Sequence, residues 1–212
     1  MRKWKKLLLP AMCAFMLQIP VIVNAEAVDS SNNVTSAVET PVATPTPALL
    51  DGIVKKGSRT YFYKNGVMQK NCWSPDKKQY FGKNGVAYAA PKVSGCKKNI
   101  VVKKIGKKYY GFDRNGFKVK KGVYADAKGT PYYFDKKGVR VAKKSNQLKA
   151  ASKNKADGAV LRKLLGRPSK TKTLSSCMTG ISKDLKLTYA NIFVQLGKKT
   201  TGGEIVYGIQ AR

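Results

Sequence analysis

The chain contains no histidine, and this absence removes several kinds of chemistry. A Ser-His-Asp or Cys-His catalytic arrangement needs an imidazole, and so does a histidine-ligated zinc site. Acidic residues are also scarce, with 11 Asp and Glu in 212 residues. Asp157, Asp184 and Glu204 show no spacing that indicates a carboxylate pair for glycoside hydrolysis. We therefore expect no enzymatic activity, no metal site and no cofactor.

The shortage of acids leaves a large excess of positive charge. Lysine and arginine number 42, which corresponds to a formal net charge of +31. Three of the acids, Glu26, Asp29 and Glu39, lie in residues 26–50, so most of the excess falls in residues 51–212. Such a surface attracts polyanions, and the attraction weakens as salt rises. The alternative interpretation is that lysine keeps exposed strands soluble and protects their edges.

No apolar run is long enough to indicate a membrane anchor. Residues 7–23 are mostly apolar but are interrupted by Pro10 and Pro20, whereas a membrane-spanning helix needs about 20 apolar residues. A basic segment precedes this region, and Val23-Asn24-Ala25 suits cleavage after Ala25. We predict that residues 1–25 are a signal peptide and that the protein is secreted, with no transmembrane segment after cleavage.

Residues 26–50 lack aromatic side chains and are rich in Ser, Thr, Val, Ala and Pro. Such a composition cannot bury a core, and its prolines favour extended conformations. This segment is predicted to be a linker.

Residues 51–145 contain four copies of one short sequence repeat. Each copy has an aromatic run, charged residues, a turn glycine and one or two apolar residues. The turn glycines are Gly66, Gly85, Gly116 and Gly138, and an insertion precedes the third copy. Three of the turns are Asn-Gly, which favours a two-residue hairpin turn. A single hairpin is marginal in water, so the units should stack. We predict a mainly β fold, a β-hairpin repeat array followed by a small α+β domain.

The repeats resemble a known family. Residues 129–138 read Gly-Thr-Pro-Tyr-Tyr-Phe-Asp-Lys-Lys-Gly, and Gly66-Val67-Met68 is followed by Asn71-Cys72-Trp73. This pattern is similar to the cell wall-binding repeat of choline-binding proteins, glucan-binding proteins and clostridial toxin tails. The resemblance covers residues 51–145 and implies attachment to the cell wall or cell surface of a Gram-positive bacterium.

In choline-binding members of that family, two tryptophans and a tyrosine from neighbouring hairpins enclose the quaternary ammonium. The positions matching the first aromatic of this cage are Arg59, Lys78, Tyr109 and Pro131, and the second position keeps Trp73 and, one residue displaced, Tyr124. Any cage would be incomplete, and the neighbouring cations would repel choline. We therefore do not expect choline to be the ligand.

The same substitutions suit an anionic wall polymer, such as a teichoic acid, or a glycan. Aromatic side chains can stack on sugar faces, while lysine and arginine bind phosphate or carboxylate. The candidate ligand-binding residues are Tyr61, Trp73, Tyr109, Tyr124, Tyr133, Lys78, Lys107, Lys108 and Arg114. Some of these aromatic residues should instead form the core of the stacked hairpins. Asp113 and Asp135 lie at equivalent repeat positions, where a structural role at the turn is expected.

Residues 146–212 follow a different pattern and predict a small α+β module. Apolar spacing predicts helix from Asn146 to Leu165, interrupted near Asp157-Gly158 and ending at Gly166. Three strands are predicted at residues 185–189, 192–196 and 204–209. The module is loosely similar to small α/β units of secreted proteins and to half of the β-lactamase inhibitor protein fold, which implies a binding role.

Three cysteines remain beyond the signal peptide: Cys72, Cys96 and Cys177. Export permits a disulfide, and a Cys72–Cys96 bond would connect the first two repeats. Cys177 could pair between chains, react as a free thiol or be buried as a small apolar residue, and we expect burial.

Together these features predict a secreted, non-catalytic protein that binds a cell-wall polymer through its repeats. One alternative is an extracellular nucleic-acid binder, in which aromatics stack on bases and lysines follow the phosphates. The secretion signal makes that role secondary. Another alternative is an inhibitor or adaptor that acts through residues 146–212.

Overall fold

The structure, a computed structural model, describes residues 49–212. The predicted signal peptide and nearly all of the predicted linker lie outside the described residues. Within residues 49–212, β-strands predominate and two α-helices occur, which confirms the predicted mainly β fold with an α+β part at its C-terminal end. Neither helix in this range has the length and apolar character needed to cross a membrane.

The repeat region consists of antiparallel hairpins joined in series. The first comprises β1 (Gly52–Lys56), β2 (Arg59–Lys64) and the short β3 (Val67–Met68). The others pair β4 (Cys72–Trp73) with β5 (Tyr80–Phe81), β6 (Val101–Ile105) with β7 (Lys108–Phe112), and β8 (Gly122–Ala125) with β9 (Pro131–Phe134). Each aromatic run therefore forms the second strand of a hairpin.

The turns differ in part from the sequence prediction. Asn65-Gly66 forms the expected two-residue turn, with Lys64 opposite Val67 and φ values of 50° and 77°. The other turn glycines close four-residue turns, as where the Gly116 N–H donates to the Asp113 carbonyl over 3.1 Å. After such a turn, only one residue pairs with the aromatic strand that precedes it, for example Lys118 opposite Phe112. The aromatic strands therefore pair mainly with the strand before them.

The aspartates at these turns have the structural role expected from the sequence. The Asp113 Oδ1 atom accepts hydrogen bonds from the N–H groups of Asn115 (2.9 Å) and Phe117 (2.8 Å). In the fourth repeat, the Asp135 Oδ1 atom accepts one from the Val139 N–H over 2.8 Å. These bonds satisfy backbone donors that the turn leaves without a ladder partner.

The second, third and fourth hairpins are packed through the last aromatic residue of their run. Phe81, Phe112 and Phe134 are completely buried. Gly111 allows two of the repeats to approach closely, because a Cβ atom there would lie 2.6 Å from Phe134 Cζ and 2.8 Å from Val119 Cγ2. One aromatic position in each of these three repeats is thus used for packing and is unavailable to a ligand.

The C-terminal part contains α1 (Ala142–Ala151), α2 (Gly158–Leu165) and a four-stranded antiparallel sheet. Its strands are β10 (Lys170–Ser175), β11 (Ile181–Thr188), β12 (Ile192–Lys199) and β13 (Glu204–Ala211), paired in that order. The helical segment is interrupted as predicted, and the Asp157 side chain caps α2 by accepting from the Ala159 N–H. The sequence did not predict β10, because all six of its residues are exposed and show no apolar alternation.

The later hairpins and the C-terminal sheet share one hydrophobic core. Cys96 and Ala125 from the repeat region are buried together with Leu148 and Leu161 of the helices and with the inner face of the sheet. The Asn191 side-chain amide also donates to the Val123 carbonyl over 3.3 Å. The turn between β11 and β12 is therefore held against β8.

The cysteines differ from the pairing that the sequence allowed. Cys72 lies in β4 opposite Phe81, whereas Cys96 is 5% exposed in the shared core and accepts a hydrogen bond from Gln210. Both thiols are free. Cys96 is buried in the core shared with the C-terminal sheet, and Cys72 is not part of that core. Cys177 is exposed rather than buried, since it lies in the turn between β10 and β11.

Candidate functional site

A cleft opens where the third and fourth hairpins meet the turn between β11 and β12. Its volume is about 460 Å³. The cationic residues that line it are Lys97, Lys98, Arg114, Lys118 and Lys120, and the lining includes a single carboxylate, that of Asp113. Tyr124, Asn115 and Asn191 add polar groups. We refer to this site as the basic cleft.

Several cleft residues are held by hydrogen bonds to the surrounding backbone. The Arg114 Nη1 atom donates to the Cys96 carbonyl over 3.2 Å, and the Lys98 Nζ atom donates to the Ala190 carbonyl over 2.8 Å. The Tyr124 hydroxyl donates to the Lys120 carbonyl over 3.1 Å. Burial raises the pKa of Tyr124, so its hydroxyl remains neutral at physiological pH.

The positive charges of the cleft have no ion-pair partners within residues 49–212. The ion pairs in this range join Lys78 to Asp76 and Arg162 to Glu204, outside the cleft. Asp113 does lie in the cleft, but its carboxylate is already bound to the backbone of its own turn. The same range holds no group of three or more His, Cys, Asp or Glu side chains suited to a metal ion. The cleft therefore suits an anion.

A group of packed rings, which we call the aromatic cluster, adjoins the cleft. It consists of Trp73, Tyr80, Tyr88, Tyr110 and Phe112. The Trp73 ring lies edge-on to Tyr110 at 5.1 Å and to Tyr80 at 5.2 Å between centroids. Such edge-to-face pairs are a favourable geometry for aromatic side chains.

Lys118 connects the aromatic cluster to the basic cleft. Its Nζ atom lies 4.7 Å from the centroid of the Trp73 ring and 5.8 Å from that of Tyr110. Burial lowers the pKa of Lys118, and the positive charges of Lys120 and Lys77 lower it further. A tryptophan and a tyrosine from neighbouring hairpins thus hold an ammonium group, but this group belongs to the chain itself.

Other ring faces are also covered by the protein's own cations. Arg140 lies over Tyr109 at 4.3 Å and Lys144 over Tyr133 at 3.9 Å. Eight such contacts occur within the described residues, although one is usual in about 70–80 residues. Most of the aromatic faces that the sequence suggested for a ligand therefore already have a cationic partner.

The structure separates the nine candidate ligand-binding residues. Arg114 and Tyr124 meet in the basic cleft. Trp73 lies in the aromatic cluster, while Tyr109 and Tyr133 lie on β7 and β9 beneath Arg140 and Lys144.

The other four candidates lie away from the cleft. Tyr61 is half-buried in β2 and bridges to Val86. Lys78 forms an exposed ion pair with Asp76, whose carboxylate lies 3.3 Å away. Lys107 and Lys108 are exposed at the turn between β6 and β7.

Sequence reasoning did not identify Lys97, Lys98, Lys118, Lys120 or Asn191 as site residues. They lie outside the aromatic runs on which the repeats were aligned. One signal was present, because Lys118 and Lys120 alternate around the apolar Val119. That spacing places both side chains on the same face of an extended segment.

No protein-family model matches the chain, and no curated protein matches it. Among solved structures, it is similar to truncated alternansucrase from Leuconostoc mesenteroides, with 25% identity over 43% of this chain and 8% of that chain and a TM-score of 0.34. It is also similar to the modular Cpl-1 endolysin complexed with a peptidoglycan analogue, with 14% identity over 74% and 37% of the two chains and a TM-score of 0.35.

A further similarity is to the pneumococcal cell wall endolysin from phage Cp-1 complexed with choline. The identity is 14%, the alignment covers 73% of this chain and 36% of that chain, and the TM-score is 0.35. The present chain therefore spans less than two-fifths of the length of each of these proteins.

Proposed function

We propose that this chain is a secreted, non-catalytic protein that binds an anionic polymer of the cell wall, a teichoic acid or an acidic glycan, through the basic cleft. The observation that supports the proposal is the convergence of five cationic side chains on one cleft, whose single carboxylate is already hydrogen-bonded within its turn. Charge-assisted hydrogen bonds to phosphate or carboxylate are about twice as strong as neutral ones.

The cleft offers two kinds of group to such a ligand. Lys97 and Lys120 are exposed and can follow a flexible chain of anions, while the Arg114 guanidinium is oriented by its bond to Cys96. The amides of Asn115 and Asn191 lie beside them and can meet sugar or polyol hydroxyls. This combination favours a ligand that carries both anionic and hydroxyl groups.

The ring contacts favour this ligand over choline and over nucleic acid. A choline cage needs free ring faces, and the faces of Trp73 and Tyr110 hold the Lys118 ammonium. Sequence-tolerant binding of single-stranded nucleic acid uses aromatic faces as stacking platforms. Tyr109 and Tyr133 already pair with Arg140 and Lys144, so they are poor platforms.

Cosedimentation with purified Gram-positive cell walls tests the proposal. The whole chain from Glu26 onward should be used, because the repeats and the C-terminal sheet share a core. We expect binding that falls when teichoic acids and other anionic polymers are removed from the walls and when salt is raised. Release by free choline, preference for single-stranded DNA over the walls, or no binding to intact walls would contradict the proposal.

A further inference from the structure

A second depression adjoins the basic cleft. It has a volume of about 900 Å³ and lies between the first hairpin and the loop that follows β5. Arg114 and Asn115 line both depressions, so the two sites are continuous at that turn. We call the second depression the amphipathic groove.

The lining of the amphipathic groove is also cationic. Lys55, Arg59 and Lys92 line it together with Arg114, and none of its lining residues is acidic. The ion pairs within residues 49–212 involve none of these four cations. The positive charge of the basic cleft therefore continues into the groove.

More apolar residues line the amphipathic groove than line the basic cleft. Its lining includes Val86, Ala87, Pro91, Ile53 and Phe117. Phe117 is 45% exposed and Ile53 is 47% exposed. None of the cation–ring contacts within residues 49–212 involves Phe117. Its ring is thus open to a ligand, in contrast to most of the tyrosines.

The junction between the two depressions is held in place. The Arg114 side chain donates to the Cys96 carbonyl, and the Gln79 side chain donates to the Asn115 carbonyl over 3.3 Å. The guanidinium of an arginine has five N–H donors, so Arg114 keeps several for a ligand. An anionic group lying at the junction can therefore be bound from a fixed position.

From these features we infer that the amphipathic groove and the basic cleft are successive subsites for one anionic polysaccharide. A sugar ring packs its apolar face on Phe117 in the groove, an anionic group lies at Arg114, and the next anionic unit lies in the basic cleft. The inference rests on the proposed function and extends it, since it specifies sugar rings that alternate with anionic groups. The anion can be a phosphodiester or a uronate carboxylate, because both offer the same acceptor oxygens.

Two connected subsites make binding depend on ligand length. A fragment with one anionic unit occupies one subsite, while a longer chain occupies both at a high effective concentration. We expect the affinity for the longer chain to exceed that for the fragment by about tenfold or more. A single subsite would show only the small statistical gain that comes from the larger number of units.

The test compares the chain from Glu26 onward with two double variants. Arg59→Gln with Lys92→Gln changes only the groove, and Lys153→Gln with Lys163→Gln removes the same charge from exposed positions outside both depressions. Calorimetric titration with galacturonate oligomers of increasing length, and with glycosyl-phosphate oligomers, distinguishes the two sources of the anion. The groove variant should lose the gain in affinity with length, whereas the control variant should keep it.

Phe117→Ala tests the role of the sugar ring. It should weaken binding of long galacturonate oligomers by about 2- to 10-fold, because part of the apolar face of the sugar ring would then stay exposed to water. Binding of inorganic polyphosphate should be unchanged. Equal losses for both ligands, or no loss for either, would overturn the assignment of a sugar to the groove.

The outcomes separate this inference from the function on which it rests. If the groove variant binds long oligomers as tightly as the unmodified chain, the second subsite is refuted, although the basic cleft can still bind. If the unmodified chain binds neither type of oligomer nor intact walls, both the inference and the proposed function are refuted.

Discussion

Replacing Lys97 and Lys120 with glutamine should weaken binding to an anionic wall polymer more than the same change made elsewhere. Both residues are exposed at the basic cleft, and their side chains make no hydrogen bond or ion pair within the described residues. The fold should therefore tolerate the change. The matched control again replaces Lys153 and Lys163, which are exposed and line neither depression.

The expected size of the effect follows from the exposure of the two lysines. An exposed ion pair contributes roughly 0.2–1 kcal/mol, so two lost contacts should cost about 0.4–2 kcal/mol. This corresponds to an increase of about 2- to 30-fold in the dissociation constant at physiological salt. Each lost contact also removes at most about 0.9 from the slope of log affinity against log salt. Charges beyond roughly 8–10 Å are screened at physiological salt, so the control should change little.

Binding of purified wall polymer should be measured at several salt concentrations for the unmodified chain and both double variants. Thermal denaturation of each variant provides the check on folding. Equal weakening in the cleft variant and the control would refute the reasoning, because net charge alone would then explain binding. A cleft variant with unchanged affinity and salt slope would refute it as well.

Three other changes test the fold and the electrostatics. Gly111→Ala should lower the free energy of unfolding by about 1–3 kcal/mol, because the added methyl group would meet Phe134, and denaturant titration that shows no loss would contradict this packing. Glu204→Gln should cost about 1–3 kcal/mol, since Arg162 contacts that carboxylate over 2.6 and 2.8 Å, and an unchanged Tm would contradict it. Burial lowers the pKa of Lys118 below 10.5, so its ammonium group should lose its proton, and anion affinity should begin to fall, at a lower pH than for a surface lysine. The free energy of unfolding should rise over the same pH interval, because the Lys118 side chain binds its proton more tightly in the unfolded chain than in the folded one. Lys118→Arg should keep its affinity through that interval in a pH titration, and loss of affinity at the same pH would contradict the role of Lys118.

Local chemistry made much of the repeat region predictable. Asn65-Gly66 takes positive φ at both positions, as its two-residue turn requires. Asp113 and Asp135 bind the backbone of their turns, which depends on residues only a few positions away. The break before α2 could also be predicted, because Asp157 caps the helix by accepting from the N–H of Ala159, only two residues away.

Elements that depend on distant partners were less predictable. The strand β10 has no apolar residue pointing to a core, so only its pairing with β11 defines it. The burial of Cys96 could not be predicted for a similar reason, since it depends on packing against the C-terminal sheet. A sequence pattern reports a residue's neighbours along the chain and carries little information about which separate segments will pack together.

By itself, the sequence determined the mainly β architecture, the turn positions and the strong positive charge, because these follow from side-chain chemistry and short-range backbone preferences. Only the tertiary structure decided which of the positively charged side chains come together in one cleft. Lys97, Arg114 and Asn191 reach one cleft because the hairpins pack against the C-terminal sheet. It also decided that Trp73 and Tyr110 hold Lys118, since contacts between a ring and a cation on different hairpins depend on how those hairpins are stacked.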